Sequence, residues 1–156
     1  MDEDSPIRRR RRIFLRPGGR LCLATWQPLA ANEWLTLPGE ALRGFADVSD
    51  PEAGVPGMFG QADPDQVAAN LRAAGYGEPR LDPVRLRLTF GADLDDATDY
   101  LTGTGLARTA FEAVAPDRRA DALAALRTAL TAHAGTDGGV RLGAAIWIVT
   151  ATAGDG

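Results

Sequence analysis

The chain has 156 residues, 45% of them hydrophobic and 24% charged, the usage of a single globular domain and too little chain for two large ones. One cysteine, Cys22, excludes an intramolecular disulfide and a Cys-rich zinc site, and one histidine, His133, excludes chemistries that need a pair. The formal net charge of −4 hides an asymmetry: residues 1–20 carry seven arginines against three acids, so the remaining body stands at −8 and disfavours nucleic acid as a partner.

No apolar run has the length of a membrane-spanning helix, and no apolar stretch follows the N-terminal charges as in a secretion signal. The expectation is a cytoplasmic protein with no membrane partner. All 17 basic residues are arginine, a bias expected of a GC-rich coding sequence rather than of a ligand site. Residues 1–10 read as a disordered basic leader. Arg8 to Arg12 offers nucleic acid or an anionic surface five guanidinium groups, but no aromatic residue interleaves the run to stack on bases. The favoured reading is a solvated, frayed helix end.

Ile7 to Leu15 has the pattern of a short helix, stopped by Pro17-Gly18-Gly19. Leu21 to Trp26 follows, apolar on both alternating faces, which predicts a strand inside a helix-covered sheet with Cys22 as a small core residue. Residues 32–46 are predicted as a helical patch with Trp34, Leu37, Ala41, Leu42 and Phe45 on one face, interrupted at Pro38-Gly39. Residues 47–62 are rich in Pro, Gly and Asp and read as a loop long enough to line a pocket.

Asp63 then opens a helix as its N-cap, with Pro64 at the first helical position, Gln66 completing a capping box and Gly75 as the left-handed stop. Val84 to Phe90 alternates apolar and polar, the mark of a half-buried strand whose Arg85 and Arg87 protect a sheet edge. Helices are predicted over 93–101, 106–114 and 116–133, the last striped by Ala120, Leu123, Leu126 and Leu130. A Gly138-Gly139 turn leads to a final strand over 140–153, apolar throughout at 144–149 and therefore interior.

Chemistry-bearing residues are few. His133 at a helix C-terminus is the obvious candidate base, but a helix dipole explains a histidine there without catalysis, and a structural or surface role is favoured. Asp93, Asp95, Asp96 and Asp99 lack the glycine and distal glutamate of a calcium loop, and first-turn acids suffice to explain them. Trp26, Trp34, Met58 and Phe59 fall in or beside the segments after the first strand. They are the candidate walls of a substrate pocket, with core packing as the alternative for each.

Arg11-Arg12-Ile13-Phe14-Leu15-Arg16-Pro17-Gly18-Gly19-Arg20-Leu21, followed by Cys22 to Trp26, resembles class I S-adenosylmethionine-dependent methyltransferases. There a helix ending in Leu-Arg-Pro-Gly-Gly leads into the fifth strand. Trp26-Gln27-Pro28 after that strand and the later element order extend the resemblance over about residues 11–153, nearest to small-molecule enzymes related to ubiquinone biosynthesis. The resemblance implies an α/β fold: a partial Rossmann-like sheet of three strands and mixed direction, the last strand antiparallel and interior, with packed helices. Strand 20–26 should then pair with 140–153, and 84–90 should lie on the outer edge beside it.

The resemblance also implies S-adenosylmethionine as cofactor and a small-molecule acceptor as partner. The family's cofactor site belongs to its first half, and no Gly-x-Gly-x-Gly occurs here; Gly103-Thr104-Gly105 follows a helix pattern and is a poor substitute. No cofactor-binding residue carries over. The expectation is the substrate-side half of a methyltransferase, inactive without a missing N-terminal half, and prone to self-association through surfaces that half would cover. The alternative is a non-catalytic small-molecule-binding or protein-interaction module, and a third option is an Arg-tail nucleic-acid binder.

Overall fold

The computed structural model describes residues 15–47 and 57–154. The basic leader with Arg8 to Arg12, the helix expected from Ile7 and the segment 48–56 lie outside the described residues. Two 3-10 turns aside, the element order is β1 (Arg20–Trp26), α1 (Glu33–Leu42), α2 (Pro64–Ala73), β2 (Arg80–Gly91), α3 (Leu94–Gly103), α4 (Gly105–Glu112), α5 (Arg119–Thr131) and β3 (Val140–Thr152). The strands form one open antiparallel sheet in the order β1-β3-β2, so the chain's last strand is its central one. The mixed direction expected of this sheet reduces to two outer strands that both oppose the middle one.

The described residues fall into two compact units, one drawn from 15–28, 57–84 and 145–154, the other from 29–47 and 85–144. In the first, a turn sets the register. Gly18 takes φ +72°, open to glycine without strain, and Gly19 N–H donates to Arg16 O at 2.8 Å, closing a type II turn with Pro17 at its second position. β1 emerges from it paired antiparallel with β3, Arg20 opposite Thr152 and Trp26 opposite Ile146. The capped helix is present, but its capping box is only half made: the Gln66 side chain donates to Asn70 Oδ1 instead of reaching back to Asp63. Asp63 Oδ1 accepts the N–H groups of Asp65 and Gln66. At the far end Gly75, φ +85°, donates to Arg72 O while Tyr76 N–H reaches Leu71 O, a complete Schellman stop.

Three expectations need correction. β1 is not an interior strand: among the described residues it is an edge strand, and Cys22, Leu23 and Ala24 are exposed rather than buried. Alternating apolarity identifies a strand, but which faces are covered depends on elements distant in sequence. Second, α1 is continuous through Pro38-Gly39. Pro38 forgoes one backbone bond and is fully buried, so packing outweighs a helix cost of about 3 kcal/mol. Third, the edge strand extends beyond 84–90 to Arg80–Gly91 and contains Pro83, which an edge tolerates.

In the second unit the helices make the core. α1 packs on α4 and α5, and α3 packs on the same two helices. Leu101, Leu126, Leu130, Val140 and Leu142 form the main cluster, with Trp34, Leu37 and Ala41 packed against it; Leu42, Ala110, Val114 and Ala122 form a second. Of the stripe expected over 116–133, Leu126 and Leu130 are buried and Leu123 is half-buried, but Ala120 is exposed and Ala122 is the buried alanine; the first turn, Pro116–Arg118, is a 3-10 helix.

Candidate functional site

Two clefts open in the second unit. One, of about 400 Å³, runs between α1 and α4 and is largely apolar, with Leu29, Leu35, Leu106 and Ala110 among its walls and Glu40 and Arg43 beside them. The other, of about 480 Å³, is polar: Glu33 and Thr36 of α1, Arg85 and Arg87 of β2 and Gly143 of β3 line it, between the small walls Ala30, Ala31 and Ala144.

The polar cleft is the better candidate because its groups are fixed. Glu33 stands in the first turn of α1, where the positive end of the helix dipole favours a carboxylate. Its Oε2 accepts the N–H of Gly143 at 2.6 Å, and its Oε1 lies 3.6 Å from His133 Nδ1. A Cβ at position 143 would stand 3.2 Å from Glu33 Oε2, so glycine leaves the carboxylate its place on the strand. His133 is held through its backbone: its N–H reaches Leu130 O, and its carbonyl accepts Arg141 N–H at 3.1 Å. Arg87 Nη2 donates to Arg141 O at 2.8 Å, which orients one guanidinium along the strand pair. The result is a tethered carboxylate with an imidazole beside it in a cleft that also carries two guanidinium groups, able to hold an anion and to accept a hydrogen bond from it.

The four residues proposed as pocket walls are dispersed. Trp34 lies in the second unit, stacked on Phe90 with ring centroids 6.1 Å apart, its Nε1 donating to Asn32 Oδ1. Trp26, Met58 and Phe59 lie in the first unit, where Phe59 is buried and Met58 is exposed. None of the four lines either cleft. In the first unit, Thr25 and Trp147, opposite each other across the ladder, hold adjacent carbonyls of the preceding loop: Thr25 Oγ1 donates to Gln61 O and Trp147 Nε1 to Ala62 O. Nothing in the linear pattern marked Trp147 for that role.

The acidic cluster is engaged with its own helix. Asp93 Oδ1 accepts Asp96 N–H, Asp96 Oδ2 accepts Ala92 N–H, and Asp95 pairs with Arg127. Among the described residues no group of three His, Cys, Asp or Glu is placed to hold a metal ion. This geometry also bears on the adenosyl cofactor that the resemblance implies. Gly91-Ala92-Asp93 is a glycine-bearing strand-to-helix turn whose Ala92 N–H is taken by Asp96, while Asp93 takes the N–H of Asp96 in the first helical turn. A Cβ on Gly91 would stand 2.2 Å from Ala97 N, so the turn is closed by its own helix. These residues do not fit S-adenosylmethionine. Gly103-Thr104-Gly105 joins two helices and offers no strand-to-helix cradle either.

No protein-family model matches the chain, and no curated protein sequence is significantly similar to it. No helix among the described residues is long and apolar enough to cross a membrane.

Proposed function

We propose that this chain is the acceptor-side half of a class I S-adenosylmethionine-dependent methyltransferase acting on a small molecule, and that it is inactive alone. One observation carries the reading: β3, the last strand, runs antiparallel between β1 and β2, and a Pro-Gly-Gly turn feeds β1. In that family the last strand inserts between the fifth and sixth in the same sense. Catalysis there is largely positioning of donor and acceptor, so the lack of a paired acid and base does not count against it. Donor binding then falls to polypeptide outside these 156 residues, since the strand-to-helix turn at Gly91 is self-filled.

Calorimetry of the purified chain with S-adenosylmethionine tests the first clause, and no measurable heat of binding is the expected result. Co-expression with the open frame upstream of Met1 should restore transfer of a labelled methyl group. Micromolar affinity of the chain by itself would overturn the reading. A second reading, a non-catalytic small-molecule-binding module, is favoured by the apolar cleft of about 400 Å³, a usual ligand-site size formed within one unit. An upstream frame without a glycine-rich loop decides for it.

A further inference from the structure

Arginine is the only strong base in this chain, and its pairing is uneven. Arg72, Arg80, Arg108, Arg127 and Arg141 each meet a carboxylate. Arg85 and Arg87 meet none among the described residues, although acids outnumber bases by 21 to 17. Two residues apart on a strand, they share one face, and both line the polar cleft. Glu33 shares the cleft, its Oε2 held by Gly143 N–H, and one carboxylate against two guanidinium groups leaves a net positive charge.

We infer that the polar cleft is a binding site for a small organic monocarboxylate with an apolar body. Two guanidinium forks match a carboxylate's paired oxygens better than a point charge does. The alanines at 30, 31 and 144 leave space for carbon rather than for further charge. Glu33 selects against a dianion by like-charge repulsion and accepts a hydrogen bond from a hydroxyl on the ligand. The proposal goes beyond methyl transfer and needs neither cofactor nor further polypeptide.

Benzoate is a suitable probe, titrated into the full chain and followed by calorimetry and by amide chemical shifts. Saturable binding is expected, with the shifts centred on Gly143, Thr36 and Arg87 and none at Leu106 or Ala110. Arg85→Ala and Arg87→Ala should each weaken binding about tenfold, Arg85→Lys less, and Arg80→Ala, on the same strand but paired with Asp82, not at all. Circular dichroism melting confirms that the variants fold. If they do not, the shift map on the unmodified chain still decides. Shifts absent from the cleft, equal weakening by Arg80→Ala, or phosphate binding as tightly as benzoate would each overturn the inference.

Discussion

Asp137, in the turn before β3, accepts from Arg141 Nη1 and Nη2 at 3.0 and 2.6 Å and from Gly139 N–H at 3.2 Å. The Arg141 hydrogen bond chiefly, with the Gly139 N–H adding to it, lowers its carboxyl from the usual carboxylate range to about 2. A folded-state pKa below the unfolded value gives stability that is complete above about pH 4 and is lost as pH falls toward 2. Asp137→Asn should therefore melt below the unmodified protein at neutral pH, and the gap should close between about pH 4 and 2, as read by thermal melts across that range. A gap independent of pH would show that the ionised carboxylate is not its source. The same scale shows why the polar cleft was hidden in the sequence. Glu33 and Gly143 are 110 residues apart, and Arg85 and Arg87 had a sufficient local explanation as guards of an edge. His133 drew attention by being unique, while the partner that makes it interesting carried no local mark.

Elements with punctuation at their own ends were legible, because capping is local chemistry. Asp63 and Gly75 delimit α2 to within a residue of the expectation. Asp63→Ala should cost about 1 kcal/mol by loss of the cap. Gly75→Ala should cost a similar amount by placing a Cβ at φ +85°. Chemical denaturation measures both, and the slope should stay unchanged if only the folded state is affected. Elements whose fate depends on distant cover were not legible. Proline predicts a break in α1, and only the core around it reverses that. Leu21 to Trp26 has the composition of an interior strand, yet Leu23 is 36% exposed.

At the scale of the whole molecule the strand order was legible, since three differently patterned strands admit few arrangements: one all-apolar, one alternating, one apolar on both faces. What remains open to solvent follows from it. Gln27 N–H donates to Ala145 O and Ala153 N–H to Gly19 O, so the odd positions of β1 face β3. The backbone groups of Cys22 and Ala24 therefore turn outward, on an edge whose only charge is Arg20. The purified chain should self-associate with rising concentration in sedimentation experiments. Ala24→Lys, a charge on that edge, should suppress the effect; a monomer at all concentrations, or indifference to the lysine, argues that the edge is protected.

The central strand being the last one made has a consequence for how the chain acquires its structure. Arg20 waits for Thr152 and Trp26 for Ile146, contacts more than a hundred residues apart. The helices from Leu94 to Thr131, by contrast, pack in part on one another, α3 against α4 and α5, at short separations in sequence. Closure entropy places the local contacts early and the ladder late. Until residues 140–152 leave the ribosome, both outer strands stand without a partner. During that interval the nascent chain carries two orphan edges, and it is then, more than once folded, that a holding chaperone has something to grip.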